Sequence, residues 1–323
     1  MKEKLLIIHQ GALGDSVLNF PAFISLKRER KASVALLCSS ELGKTARALN
    51  IVDALFSLEN ARFSTLFGGE MTPFVKTFIN NYDIIILISF SDAVEHHLRQ
   101  NHGGEVHRIC PRPPVDEEAH VALHLMKQLR AKRLLTSSDI LFSFPFKVIP
   151  ISYSSGGSMP QQEHVVVMHP GAGSARKRWP VKNFIEAAMV IKGEKPGEVV
   201  FLVGPAESDL TPVVKSMSNG DFRVYEVSDL VSLMELLKQT RCLIGNDSGV
   251  THLAAFMGTP TVAIFGPSNP KRWSPVGRAT KVLRGVVDCT PCFETDAANC
   301  EDPKCLNGVS IRMVFDAVRE LAS

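Results

Sequence analysis

Twice along this chain an apolar run ends at a glycine-bearing turn and opens into a helical pattern, and a polar joint separates the two series. Leu5–Ile8 is a short apolar run closed by Gly11, after which Val17, Leu18, Phe20, Phe23, Ile24 and Leu26 recur at helical spacing. Runs at Val34–Leu37 and Ile84–Ile88 follow, with helical patterns at 42–49, 74–78 and 119–135. The second series begins at Val165–Met168 and continues with runs at 199–203, 242–244 and 261–265. Between them lie helical patterns at 183–191, 230–237 and 250–257, and an amphipathic one closes the chain at 309–321. Runs apolar throughout fit parallel strands covered on both faces. The expected fold class is therefore α/β, with two Rossmann-like doubly wound domains facing each other across a cleft.

The joint is Ser154 to Gln162, small and polar with turn formers, and it sets the expected domains at 1–155 and 156–323, with the final helix able to pack back on the first. A chain of 323 residues also exceeds what one core usually serves. No apolar run reaches the ~20 residues that span a bilayer, and the N-terminal apolar stretch is too short for a signal-peptide core, so the expectation is a cytoplasmic protein. A net charge of +3 is too weak to indicate nucleic acid. Residues 1–155 carry 18 Lys/Arg against 15 Asp/Glu, and residues 156–323 carry 18 of each. That excess, including Lys27, Arg28, Arg30, Lys31, Arg130, Lys132 and Arg133, suits either an acidic partner of the first domain or an ordinary solvated surface.

Ligands in such sheets bind beyond the carboxyl ends of the strands, so the loops there are the candidates. Gly11-Ala12-Leu13-Gly14-Asp15 is neither a full dinucleotide fingerprint nor a P-loop. Its Asp15 reads locally as a helix N-cap, with a proton-accepting carboxylate as the functional alternative. His169 to Pro180 has small residues that let backbone N–H groups approach an anion, the Ser174 hydroxyl, and the cations Arg176, Lys177 and Arg178, which is the chemistry of a phosphate loop. Gly245 to His252 enters a helix whose start, with Ser248 and Gly249, is a ready anion site; Asp247 there suits sugar hydroxyls, and His252 is either structural or a pyrophosphate contact. Glu207, just past a strand end, suits ribose hydroxyls, and Gly266-Pro267 ends the next strand. Cys289, Cys292, Cys300 and Cys305 match a four-thiolate zinc site in residue type, at less regular spacing; reduced thiols or a redox-labile pair fit too.

Taken together these motifs resemble the lipopolysaccharide heptosyltransferase family, the ADP-heptose-dependent glycosyltransferases of family 9. The resemblance rests on Gly11–Asp15 with Pro21-Ala22, His169-Pro170-Gly171 through Lys177-Arg178-Trp179-Pro180, Gly245–Gly249 with His252-Leu253-Ala254, Phe265-Gly266-Pro267, and the Pro291-Cys292 region, five motifs in order over nearly the whole chain. It departs from the family where Gly171-Ala172-Gly173 occupies part of the central loop, which bears on the role of Ser174. The resemblance implies a GT-B fold and metal-independent, inverting transfer of heptose from ADP-heptose to a lipopolysaccharide inner-core hydroxyl, with no cofactor. It implies Asp15 as general base, Gly11 and Gly14 on the acceptor side, Lys177 on donor phosphate and sugar, Ser248 and its neighbours on the diphosphate, Asp247 on sugar hydroxyls and Glu207 on the ribose. The acceptor would be an anionic lipid-linked sugar at the inner membrane, which leaves peripheral membrane contact open. Other readings of the motifs are another nucleotide-sugar transferase or an epimerase on the same fold, or a non-catalytic sugar-nucleotide-binding protein. A nicotinamide oxidoreductase lacks its complete fingerprint.

Overall fold

The computed structural model describes residues 2–136, 165–194, 197–207, 209–289, 291–295 and 300–321. The chain divides into two compact units, Met1–Pro145 and Phe146–Ser323. The polar stretch 154–162, expected as the joint, lies outside the described residues.

The first unit is a five-stranded parallel sheet of β1 (Lys4–His9), β2 (Ser33–Cys38), β3 (Ala54–Ser57), β4 (Ile84–Ile88) and β5 (Glu105–Ile109), in the order β3-β2-β1-β4-β5. Leu5–Ile8 and Ile84–Ile88 are buried along their whole length because helices cover both faces. The second unit has six parallel strands, β6 (Val165–His169), β7 (Val199–Val203), β8 (Arg223–Glu226), β9 (Thr240–Asn246), β10 (Thr261–Ile264) and β11 (Thr280–Leu283). Their order, β11-β10-β9-β6-β7-β8, is the doubly wound order in which the chain goes one way from its first strand and then returns to the other side. Both sheets thus have a switch point, between β1 and β4 in the first and between β6 and β9 in the second.

The expected α/β class with doubly wound parallel sheets holds in both units. The closing helix, Ile311–Leu321, buries Val314, Phe315, Ala317 and Val318 in the core that contains Phe184, Phe201 and Ile244, so its apolar stripe belongs to the second unit. No helix among the described residues is long and apolar enough to cross a membrane.

Helix direction also places the basic residues at 27–31. The first helix, Leu13–Glu29, starts with Asp15 at the carboxyl edge of the sheet and ends at Lys27 and Arg28 on the amino edge, where Ser33 begins β2. At 1.5 Å per residue its 17 residues span ~25 Å. The basic residues at 27–31 therefore do not stand beside Asp15. Lys27 pairs with Asp53 at 3.0 Å and Arg30 with Glu3 at 2.6 Å.

Candidate functional site

In the second unit the loops after β6 and β9 meet at the switch point, because those strands are neighbours in the sheet. Asn246, the last residue of β9, fastens them. Its Oδ1 accepts the Trp179 backbone N–H at 2.9 Å, and its Nδ2 donates to the carbonyls of Pro170 at 2.8 Å and Gly171 at 3.2 Å. Trp179 is fully buried, stacks edge-on against Phe184 and donates its indole N–H to the Val309 carbonyl at 3.2 Å. The basic loop is anchored at both ends, so Ser174 and Lys177 sit on a rigid frame. The sequence pattern did not single out Asn246; the only signal was an amide at the end of a strand that neighbours the loop-bearing strand.

Asp247 is the electrostatic centre. Its Oδ2 lies 2.7 Å from Lys177 Nζ and its Oδ1 3.3 Å from His252 Nε2. Burial alone would push this carboxyl up, but the His252 hydrogen bond and the Lys177 charge hold it well below the usual carboxylate range. Lys177 is also 4.0 Å from the centre of the Phe293 ring, a cation–π contact, and Arg176 Nη2 is 3.5 Å from Cys292 Sγ. The segment that carries Phe293 is itself held. Its backbone N–H donates to the Pro267 carbonyl at 3.0 Å. Glu294 receives the buried Arg272 guanidinium at 2.8 and 3.2 Å and the Trp273 indole at 2.8 Å. Phe293 left no mark in the sequence, since it meets Lys177 across more than a hundred residues, and the clamp that holds it joins residues 21 to 26 positions apart.

The remaining candidates in this unit divide by what their side chains already do. Ser248 caps the helix Gly249–Met257, its Oγ accepting the Thr251 N–H at 3.3 Å, which leaves the first backbone N–H groups of that helix as its anion-facing donors. Gly249 begins the helix. Glu207 is buried against Gly171, where a Cβ would lie 2.6 Å from its Cδ, and its Oε2 accepts the Gly204 N–H at 3.1 Å. Glycine at 171 is thus what admits the carboxylate beside the loop. The Ser174 hydroxyl accepts no capping hydrogen bond from the short 3-10 turn Ala175–Lys177 that follows it. His169 is buried beside Glu207, and desolvation lowers its pKa.

In the first unit the turn after β1 is organised by His9, another residue the sequence did not mark. Its Nδ1 receives the Gly11 backbone N–H at 3.1 Å and lies 3.1 Å from Ser16 Oγ, while its Nε2 faces the Asn19 carboxamide at 3.0 Å. A backbone N–H can only donate, so Nδ1 is an acceptor and the ring is neutral. A Cβ on Gly11 would lie 2.5 Å from His9 Cε1, so the close approach requires glycine. The N-cap is Ala12, not Asp15. Leu13 and Gly14 are the first two helical residues, and Asp15, the third, reaches back to accept the Ala12 N–H at 3.2 Å through Oδ2. Asp15 is only partly buried and so stays open to solvent.

Burial drives the His9 pKa down from 6.5 to about 4. The unfolded chain then binds a proton that the folded one refuses between those values. Stability should be full above pH ~6.5 and fall as pH drops toward 4, by up to ~3 kcal/mol from this one ring. An NMR titration of the His9 ring checks it; a midpoint near 6.5 would remove the effect.

All seven cysteines are free. Cys305 is buried, and its thiol is pushed up by burial, opposed by Arg284 and reinforced by Cys289 and Cys292. Cys300 Sγ donates to the Asp302 carbonyl at 3.2 Å. Among the described residues no three His, Cys, Asp or Glu side chains are grouped as a metal site needs.

Residues 124–301, more than half the chain, match the family model for glycosyltransferase family 9 (heptosyltransferase). The chain is similar to lipooligosaccharide heptosyltransferase 2 of Campylobacter jejuni, 24% identical over 320 residues that cover 96% of each. Among solved structures it is similar to a glycosyl transferase family 9 protein from Veillonella parvula, with a TM-score of 0.78 at 20% identity, covering 100% of this chain and 98% of that one. It is also similar to the E. coli ADP-heptose LPS heptosyltransferase II, with a TM-score of 0.72 at 16% identity and the same coverage. These structural likenesses extend the shared fold over both units.

Proposed function

This chain belongs to glycosyltransferase family 9, the heptosyltransferases, and from that premise we propose that it moves a heptose from ADP-heptose to a hydroxyl of the lipopolysaccharide inner core, with inversion and without a metal ion. The observation that supports this most is the pairing, by Asn246 at the second sheet's switch point, of a basic loop with the start of the helix Gly249–Met257. Lys177 and that helix N-terminus are suited to a diphosphate, since cation and N–H groups meet its charge together. Asp247 is suited to sugar hydroxyls, and Glu207, beside Gly171 and Gly204, to the ribose. Ser174 and His252 complete this donor set, His252 by orienting Asp247.

The reaction follows from those roles. The Asp15 carboxylate takes the acceptor hydroxyl proton as the acceptor oxygen bonds to the anomeric carbon. The bond from that carbon to the β-phosphate oxygen breaks on the opposite side, and ADP leaves with the charge, which Lys177 and the helix N-terminus stabilise. Gly11 and Gly14 keep the acceptor side of the turn free of side chains. The acceptor is an anionic lipid-linked sugar at the cytoplasmic face of the inner membrane.

A donor panel of ADP-heptose, UDP-sugars and GDP-sugars with a Kdo-lipid acceptor tests this. Nucleotide release and a heptose mass gain are expected with ADP-heptose; turnover with another donor alone, or nucleotide release without an acceptor, overturns it. A sharper test concerns Lys177→Ala. A charge-assisted contact to phosphate is worth ~1.5–3 kcal/mol, so the variant should bind the nucleotide sugar ~10- to 100-fold more weakly and adenosine nearly as before. Equal losses for both ligands in calorimetry would take Lys177 off the phosphates.

A further inference from the structure

At the amino edge of the first sheet, on the far side from Asp15, a cavity of about 640 Å³ is lined by Lys2, Arg30, Lys31 and Arg133 together with Glu3 and Glu29. Both carboxylates already have partners. Glu3 takes the Arg30 guanidinium in a fork of two 2.6 Å hydrogen bonds, and Glu29 accepts the Thr136 backbone N–H at 2.9 Å and its hydroxyl at 3.0 Å. Among the described residues, Lys31 and Arg133 have no carboxylate at ion-pair distance. The cavity therefore carries uncompensated positive charge.

The backbone adds an independent reason. Four non-glycine residues among the described ones have left-handed φ: Lys31 (50°), Asn50 (55°), Arg133 (58°) and Asn219 (50°). Each follows a helix in the same C-terminal motif. For Lys31 the bonds are Ala32 N–H to the Lys27 carbonyl and Lys31 N–H to the Arg28 carbonyl; for Arg133 they are Leu134 to Leu129 and Arg133 to Arg130. That position ordinarily takes glycine, with asparagine as the usual substitute. Two of the four obey the rule. The two that break it are both cations, on two different helices, and both line this one cavity. The preference of helix C-termini for positive charge does not explain them, because Lys27, Arg28 and Arg130 already serve the last turns.

We propose that this cavity is a second ligand site, separate from the sugar-transfer site, for a phosphate-bearing group, held by Lys31 and Arg133 with Lys2 beside them. Its volume lies within the range of small-molecule pockets. Two sources supply that chemistry, the headgroup of an anionic phospholipid or a free phosphorylated solute.

The test is the full-length double variant Lys31→Gly/Arg133→Gly, which removes both charges while giving each position the residue its backbone conformation favours. Sedimentation with vesicles of phosphatidylcholine, and of equal parts phosphatidylglycerol and phosphatidylcholine, reads the lipid source. Calorimetry with inorganic phosphate, taken as the difference between wild type and variant, reads the solute source. The wild type should bind at least one probe. The variant should lose roughly 30-fold of that affinity, about 2 kcal/mol for two cations. It should melt no lower than wild type and keep its transfer rate on a lipid-free acceptor. Loss with the phosphatidylglycerol vesicles alone assigns a headgroup, and loss with phosphate in solution assigns a solute. Wild-type binding to neither probe, or equal binding by variant and wild type, overturns the site and leaves the proposed transfer reaction untouched.

Discussion

Asp15→Asn should lower turnover by ~100-fold or more with saturating substrates, the scale of a general base, while the donor dissociation constant barely moves. The geometry makes this substitution informative. Asp15 Oδ2 accepts the Ala12 N–H at 3.2 Å, and an asparagine oxygen accepts the same bond, so the helix start survives. What disappears is the ability to take a proton. Steady-state kinetics with calorimetry of donor binding separates the two roles. A folded Asp15→Asn protein with near-normal turnover would show that the carboxylate serves the helix alone, and the acceptor proton would need another base.

Asn246→Ala should cost ~3–5 kcal/mol of stability and weaken donor binding by at least ~10-fold. The alanine leaves the Trp179 N–H and the Pro170 and Gly171 carbonyls without their partner in a buried place, and each orphaned group costs ~1–3 kcal/mol. The basic loop then loses the bond that fixes it beside the Gly249 helix. Asn246→Asp should fail as well, since a carboxylate meets the Trp179 N–H but faces two carbonyls with no proton to donate. Denaturant unfolding and nucleotide-sugar calorimetry check both variants. Wild-type stability in Asn246→Ala would mean that the loop is held by Trp179 packing instead.

The strands legible in the sequence share one physical property. Leu5–Ile8, Val34–Leu37, Ile84–Ile88, Val165–Met168, Val199–Val203, Cys242–Ile244 and Thr261–Ile264 are inner strands, covered on both faces, so burial wrote continuous apolar runs into them. The strands that escaped are β3, β5, β8 and β11, the four sheet edges. Glu105–Ile109 and Arg223–Glu226 pair along one side only and are incompletely buried, so polar and charged residues persist and no run forms. The helices Asp92–Asn101 and Leu210–Met217 escaped similarly, each with only two buried side chains.

The candidate site divides along the same line. Its loops were legible, because glycines, a serine and cations at strand ends are local chemistry that spacing displays. Asp15, Lys177, Glu207, Asp247, Ser248 and His252 are candidates on the same local grounds. The sequence by itself determined the α/β class, the inner strands and the loops that follow them. Only the tertiary structure decided that Lys177 rests on Asp247 and Phe293, that Asn246 ties two loops together, that His9 props the Gly11 turn, and that the basic residues at 27–31 stand at the edge opposite Asp15. The reason is distance along the chain. Burial and turn chemistry act within a few residues and leave a pattern there, whereas a hydrogen bond from residue 246 to residue 179 leaves no trace at either position until strand order brings the two together.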